Sequence, residues 1–322
     1  MESPRASSEA TRAIKELRQE DKLVPVHGQL RQLLISLRPH QWTKNFVVVA
    51  ALIFAERLYE VPSLLLTSGA FVVFCALSGA VYLVNDLVDL EGDRRHPVKR
   101  TRPLPSGELS ISIAKAAAAL LALAGLGASF WIGPKFAGVA FVYYGAMMAY
   151  SLFLKNIVVV DVLVVAMGFV LRALAGAVAI DVAFSHWLLI CTLLGALFLA
   201  LAKRRHELTL LAGGAVEHRR ILGEYSPYLL DQMIAVVTAS TVVSYALYTL
   251  APETISRFGT DRLVWTLPFV LYGILRYLYL VHQKEEGGNP TKVLLNDRPI
   301  LVTVALWAAT VVALIYHGRE SG

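Results

Sequence analysis

An all-α, polytopic membrane protein is the fold class that this sequence predicts. Of the 322 residues, 56% are hydrophobic and only 17% are charged, whereas soluble domains average about 25% charged residues. The mean hydropathy is +0.58. Apolar runs of about 20 residues, the length with which a helix crosses the hydrocarbon, recur along the chain. Because so few charges cannot cover a water-soluble surface, the soluble, disordered and collagen-like classes are excluded.

Nine such runs predict nine transmembrane helices in one bundle, with the two termini on opposite sides of the membrane. They lie at residues 45–61, 65–85, 110–131, 136–154, 157–180, 186–202, 229–251, 262–281 and 299–317. We therefore expect a disordered or amphipathic N-terminal arm at 1–36, a single transmembrane domain at 37–317 and a short tail at 318–322.

The basic residues orient this bundle. Of the 30 Lys and Arg residues, 22 fall in residues 1–44 or in the loops after predicted spans two, four, six and eight, and five fall on the other side. The positive-inside rule assigns the basic side to the cytoplasm. We expect a multi-pass protein of the inner (cell) membrane whose N-terminus and active site are cytoplasmic. No nucleic-acid partner is expected, and the sequence leaves a homo-oligomer open.

An acidic motif follows the second span, with Asn85, Asp86, Asp89 and Asp93 within nine residues. The spacing of the aspartates places them on one helix face. Carboxylates that are close together repel each other, and near hydrocarbon they are costly, so a cation is expected. Mg²⁺ prefers oxygen ligands and is commonly shared with substrate phosphates. The motif therefore predicts a magnesium–diphosphate site. The alternative is a solvated helix end neutralised by the basic residues after it.

The loop after the acidic motif is basic and contains Lys99, Arg100 and Arg102 among prolines and a glycine. Proline and glycine end a helix and turn the chain. We expect these three side chains to return over the acidic face, where Lys and Arg bind phosphates well. The alternative is ordinary positive-inside charge.

Polar residues also mark the cytosolic ends of other spans. Lys44 and Asn45 open span one and either reach a lipid phosphate or anchor the interface. Tyr150 and Lys155 close span four. Asp161, within span five, needs a cation, and Lys155 is the expected partner; the pair either orients substrate or neutralises itself.

Two more positions stand out. Arg172 lies deep in span five, where a buried arginine indicates a function or a partner, and we expect it to support the site from behind. After span six the chain reads Lys203-Arg204-Arg205-His206-Glu207. Lys203 and Glu207 are one helical turn apart, so a surface ion pair is the alternative to a functional role.

The acidic motif, the K-R-x-R-P-L-x-S-G loop and the nine spans together resemble the UbiA superfamily of intramembrane prenyltransferases over about residues 30–317. In that family the motif binds Mg²⁺ and the diphosphate of the donor, in a bundle that opens laterally to lipid. The family also carries a second acidic motif after span six. Here that position is basic, which suits a donor with a diphosphate and a separate monophosphate, such as phosphoribosyl pyrophosphate.

This departure is similar to the decaprenyl-phosphate phosphoribosyltransferase branch, as are the stretches 38–45, 93–103 and 155–176. The resemblance implies an Mg²⁺-dependent phosphoribosyltransferase (a pentosyltransferase). It would transfer the 5-phosphoribosyl group from phosphoribosyl pyrophosphate to a polyprenyl (decaprenyl-type) phosphate and release diphosphate. The product would be a lipid-linked precursor of cell-wall sugars. The polyprenyl chain would lie in the bilayer, and 37–317 would be the catalytic domain.

The resemblance also implies roles for individual residues. The substrate phosphates would be bound by Lys44, Asn45, Lys99, Arg100, Arg102, Lys155, Lys203 and Arg204. Tyr150, Asp161 and Glu207 would orient the substrates. The alternative function is a UbiA-type prenyltransferase that moves a polyprenyl group from its diphosphate onto an aromatic or other small acceptor. A lipid carrier without catalysis is disfavoured by the acidic metal motif.

Overall fold

The computed structural model describes residues 26–183, 186–210, 220–284, 293 and 296–317, and within these ranges it contains helices and connecting turns but no strand. Most of the predicted arm and the whole predicted tail lie outside the described residues. The α-helices are α1 Val26–Ser36, α2 Ala50–Phe54, α3 Val61–Val88, α4 Leu90–Arg95, α5 Ile111–Ile132, α6 Pro134–Leu152, α7 Val160–Ala179, α8 His186–Leu210, α9 Pro227–Leu250, α10 Pro252–Phe258, α11 Leu267–Gln283 and α12 Arg298–His317. The 3-10 segments are Pro39–Val49, Lys99–Thr101, Leu154–Asn156, Arg220–Glu224 and Arg262–Thr266.

Six of the described helices are long and apolar enough to cross a membrane. They are α3, α5, α7, α9, the continuous span Arg262–Gln283 that includes α11, and α12 over Arg298–Tyr316. This confirms the all-helical membrane class. The predicted spans 136–154 and 186–202 coincide with α6 and α8, which do not belong to the six.

The first predicted span is not one helix, so the prediction of an uninterrupted helix over 45–61 is wrong. The chain runs as a 3-10 segment over Pro39–Val49, continues as the short helix α2, and leaves helical structure near Glu56, whose φ is 60°. The interruption coincides with a close contact, because the backbone at Val48 packs directly against α7.

That contact depends on Gly176 of α7. A Cβ atom at Gly176 would lie 2.0 Å from the carbonyl oxygen of Val48, and no side-chain rotation could relieve a clash with backbone. The absence of a side chain therefore lets the 3-10 segment lie against α7.

Gly176→Ala is expected to destabilise the protein by about 1–3 kcal/mol, as overpacking of a core does. Gly195→Ala is the matched control, because Gly195 also lies inside a helix but its Cβ would meet nothing within 4 Å. The control should gain up to about 1 kcal/mol from better helix propensity. Thermal unfolding in detergent measures both, and a similar rise of Tm in the two variants would contradict the close contact.

Among the described residues, two large apolar clusters lie in the interior of the bundle, with three smaller ones around them. One is built around α3, α6 and α7 and includes Phe74, Phe136 and Tyr143. The other lies where α7, α8, α9 and α11 meet and includes Phe198 and Tyr277. These clusters set the relative positions of α3, α7 and α8, and polar contacts then join the end of α3, the start of α7 and the end of α8.

Candidate active site at the end of helix α3

The acidic motif continues the path of α3 with a small irregularity. Helix α3 ends at Val88 and α4 begins at Leu90, but the Asp89 amide donates to the Asn85 carbonyl at 2.9 Å and the Asp93 amide to the Asp89 carbonyl at 2.8 Å. The Asn85 side-chain amide also donates to the Asp89 carboxylate at 3.1 Å. The motif residues therefore lie on three successive helical turns, with Asn85 and Asp86 together on the first.

Asp86 and Asp93 are buried and face the same cation. Arg102 Nη1 lies 3.2 Å from Asp86 Oδ1 and 2.8 Å from Asp93 Oδ2. Lys99 Nζ lies 3.3 Å from Asp93 Oδ1, whereas Arg100 is exposed. The basic loop thus does fold back over the acidic residues, with Arg102 as the bridge between the two buried carboxylates.

Arg38 also belongs to this site, although the sequence did not single it out as a site residue. Its guanidinium pairs with Asp86 and lies 5.1 Å from the centre of the Tyr82 ring. Arg38 has φ 52°, in the left-handed region, immediately before Pro39. The sequence feature that could have identified Arg38 as a site residue is its position at the start of the basic stretch 38–45.

The expected pairing of Lys155 with Asp161 is wrong. Lys155 Nζ lies 2.5 Å from Asp89 Oδ1. The reason is topological: the 3-10 segment Leu154–Asn156 presents Lys155 to the end of α3, while Asp161, on the first turn of α7, faces α8. Lys155 therefore joins the acidic motif itself.

Asp161 instead belongs to a buried network centred on Arg204 of α8. Asp161 is 0% exposed, and its Oδ2 lies 2.7 Å from Arg204 Nε. Arg204 Nη1 lies 2.6 Å from Glu207 Oε2, and Nη2 donates to the Tyr150 hydroxyl at 3.2 Å. Lys203 Nζ is 3.6 Å from Glu207 Oε1. Tyr150, Asp161 and Glu207 thus converge on one guanidinium.

Tyr225 completes this network. It was not predicted as a site residue, because nothing in the sequence distinguishes it from the other tyrosines. Its hydroxyl donates to Asp161 Oδ1 at 2.8 Å and accepts from the Val159 amide at 2.7 Å. Burial raises the pKa of Tyr225 to about 12, so the hydroxyl keeps the proton that it donates. Val159 is held at φ 67°, a strained conformation for a β-branched residue.

A third group of polar residues consists of Lys44 and Asn45 of the 3-10 segment Pro39–Val49 and Arg172 of α7, which contacts Asn45. Lys44 is partly buried, and its pKa is lowered to about 7 by burial and by the charges of Lys203, Arg172 and Arg38. Asn45 is buried, and its side-chain oxygen accepts from Arg172 Nε at 2.7 Å. Asn45 therefore contacts Arg172 and not the acidic motif.

The oxygen donors of the acidic motif fit a hydrated magnesium ion. In the described part of the chain, no group of three or more His, Cys, Asp or Glu side chains forms a metal cluster by itself. However, Asp86 and Asp93 contact one nitrogen of Arg102 at 3.2 and 2.8 Å, so both carboxylates border the position that this single cationic group occupies. Mg²⁺ needs only one or two carboxylates when waters and substrate phosphates complete its shell.

Comparison with known proteins identifies relatives over most of the chain. The decaprenyl-phosphate phosphoribosyltransferase of Corynebacterium glutamicum is 35% identical over 292 residues, covering 88% of this chain and 86% of the relative. The protein of the same name from Mycolicibacterium smegmatis is 34% identical over 303 residues, covering 91% and 95%.

A solved structure shares the fold. A UbiA homolog from Archaeoglobus fulgidus bound to GPP and Mg²⁺ matches with a TM-score of 0.66 at 19% identity, covering 88% of this chain and 99% of that chain. The model of the UbiA prenyltransferase family matches residues 45–296. This chain belongs to the UbiA prenyltransferase family.

Proposed function

We propose that this protein transfers the 5-phosphoribosyl group from phosphoribosyl pyrophosphate to a polyprenyl phosphate of the decaprenyl type. The names of its two bacterial relatives state phosphoribosyl transfer to decaprenyl phosphate for them. The observation that carries the proposal is the ionic layout of the site. Aspartates at the end of α3 contact Arg38, Lys99, Arg102 and Lys155. A site with both signs of charge suits a metal together with several phosphate groups.

The orientation and extent of the domain belong to the same proposal. Residues 37–317 form one catalytic domain of nine spans, with α6, α8 and the interrupted first span added to the six long apolar helices. The protein lies in the inner (cell) membrane, and its active site faces the cytoplasm. The distribution of Lys and Arg residues supports this orientation.

Asn85, Asp86, Asp89 and Asp93 are the residues that would hold Mg²⁺. When bound there, Mg²⁺ would offset the negative charge of the diphosphate leaving group. Lys99, Arg102 and Lys155 already contact these carboxylates, so they can turn to the phosphates of the donor. Lys44, Arg100 and Lys203 are further candidates for phosphate contact. For Arg204, which the family resemblance places among the phosphate-binding residues, we instead propose that it holds Asp161, Glu207 and Tyr150 in place.

The reaction forms a bond between an oxygen of the lipid phosphate and the anomeric carbon of the ribose. The bond from that carbon to the diphosphate breaks, and its electron pair leaves with the diphosphate. The attacking phosphate is already ionised near neutral pH, so no side chain has to remove a proton. The protein therefore contributes mainly by positioning both substrates and by stabilising the charge that develops on the diphosphate.

Donor choice tests the proposal directly. The purified full chain is incubated with Mg²⁺, a polyprenyl phosphate and radiolabelled phosphoribosyl pyrophosphate, and the label in extracted lipid is counted. A sample with EDTA runs beside it. Label in the lipid that depends on Mg²⁺ is expected. No label, together with turnover of a polyprenyl diphosphate and an aromatic acceptor, would contradict the proposal and favour prenyl transfer.

A further inference from the structure

Arg172 of α7 is a buried cation whose partners are all neutral. It is 5% exposed, and its three nitrogens donate to the Asn45 side chain at 2.7 Å, the Tyr143 hydroxyl at 2.6 Å, the Ser78 hydroxyl at 3.3 Å and the Gly168 carbonyl at 2.9 Å. The guanidinium carbon also lies 4.7 Å from the centre of the Tyr143 ring. Dipoles and an aromatic face therefore solvate it, and no charge does.

Arg172 thus leaves a net positive charge inside the bundle. Among the described residues no carboxylate lies within 4.0 Å of its nitrogens. An arginine cannot lose its proton in a protein, and an unpaired charge in a low-dielectric interior is costly. Asp161, on the same helix, has its own guanidinium from Arg204. The charge of Arg172 is therefore available to an anion that binds nearby.

Arg172 is linked to Lys44 through the chain. Asn45, the anchor that accepts from Arg172, is the residue after Lys44. The charges that act on Lys44 are those of Lys203, Arg172 and Arg38, in addition to burial. His40 also lies near Lys44, and its own pKa is lowered, mainly by burial. The Tyr143 ring of α6 lies against Arg172, and the Tyr82 ring of α3 lies against Arg38. Lys44 and Arg172 are thus two cations joined through Asn45, and among the described residues no carboxylate forms an ion pair with either.

The position of Arg172 along α7 indicates which substrate this pair meets. It lies eleven residues beyond Asp161, which is about 16 Å along a helix axis, in the direction of the hydrocarbon. A water-soluble donor has no reason to enter an apolar bundle at that depth. A phosphate attached to a polyprenyl chain does, because its tail already lies in the lipid.

We propose that Arg172 is a positioning residue for the lipid acceptor: it anchors the 3-10 segment Pro39–Val49 through Asn45, and with Lys44 it attracts the phosphate of the polyprenyl substrate. The inference rests on the proposed function and names the part of the site that takes the acceptor. The acidic motif takes the donor.

Asn45→Asp tests the charge without removing the anchor. The new carboxylate would accept from the same Nε atom that Asn45 contacts at 2.7 Å and would neutralise Arg172. At pH 6, we expect the apparent KM for polyprenyl phosphate to rise about tenfold, equivalent to about 1.4 kcal/mol, with the KM for phosphoribosyl pyrophosphate unchanged and Tm not lowered. Gln283→Glu adds the same charge at an exposed helix end and should change neither KM.

The pH dependence separates a charge effect from a merely structural one. With a pKa of about 7, Lys44 is protonated at pH 6 and largely neutral at pH 8.5. Neutralising Arg172 lets Lys44 keep its proton to higher pH, so the loss from Arg172 is partly offset there. The KM ratio of Asn45→Asp to wild type should fall from about tenfold at pH 6 towards one at pH 8.5. A structural role predicts a ratio that does not depend on pH.

A second pair of variants tests the same inference if Asn45→Asp does not fold. Arg172→Lys keeps the charge and should stay within about threefold of wild type in acceptor KM, whereas Arg172→Gln should raise it about tenfold. Equal effects of the two, or a folded Asn45→Asp protein with unchanged acceptor KM at pH 6, would overturn the inference. Absence of any phosphoribosyl transfer by wild type would instead overturn the proposed function.

Discussion

Asp89→Asn is expected to lower kcat for phosphoribosyl transfer by about 100-fold or more, because loss of one preorganised electrostatic contact to a charge that develops in the transition state has effects of that size. Asp89 is suited to the test since its side chain is 31% exposed and accepts one cation, Lys155. The substitution is nearly isosteric, so folding should survive. Steady-state kinetics at several Mg²⁺ concentrations measure the effect, and the Mg²⁺ requirement should rise with it.

Glu91→Gln is the matched control for Asp89→Asn. Glu91 lies two residues away, is exposed, and pairs with Arg94 at 3.0 Å within one helical turn. Such surface pairs contribute little, so kcat and the Mg²⁺ requirement should stay at the wild-type values. Equal losses of kcat in the two variants would show that the total negative charge of this helix end matters. They would contradict a specific role of Asp89 in holding the metal.

Arg204→Met is expected to destabilise the fold by about 3–5 kcal/mol, because removing one partner of a buried ion pair leaves the other charge uncompensated. Asp161 is 0% exposed, and of its side-chain donors among the described residues it would keep the Tyr225 hydroxyl. Activity should be lost together with stability. Chemical unfolding in detergent measures the change in the free energy of unfolding.

Arg205→Met, at the next residue, provides the contrast. Arg205 pairs with Asp231, and both side chains are partly exposed, at 19% and 36%, so we expect at most about 1 kcal/mol. Adding Asp161→Asn to Arg204→Met should recover part of the lost stability, since it removes the orphaned charge. If the adjacent arginines give equal losses and the double variant recovers nothing, the buried network is not what stabilises this end of α8.

The helical membrane class followed from composition because hydrocarbon imposes a simple requirement of about 20 apolar residues on each span. The prediction failed where local packing decides the outcome. The first span contains an uninterrupted apolar run over residues 46–55, but Gly176 allows the backbone of Val48 to lie against α7, and a distant glycine carries no signal about such a contact. The count of nine spans stays a prediction.

The acidic motif was the part of the site that the sequence predicted best, because the spacing of Asp86, Asp89 and Asp93 by itself places them on one side of a helix. Partners distant in sequence were less accessible. Asp161 needs a cation, but both Lys155 and Arg204 are basic residues near a span end, and only their three-dimensional positions distinguish them. The resemblance to the UbiA family did not depend on these contacts and is confirmed by the match over residues 45–296.

The bridging position of Arg102 between Asp86 and Asp93 has a consequence for turnover. Carboxylates that already have counter-ions within the protein do not need a ligand in order to be neutral. On the proposed function, the aspartates would hold the metal, and Lys99, Arg102 and Lys155, which now contact them, would turn to the phosphates of the donor. These side chains would return to the aspartates once the diphosphate had left, so the protein itself would supply the counter-ions that compete with a strongly anionic product.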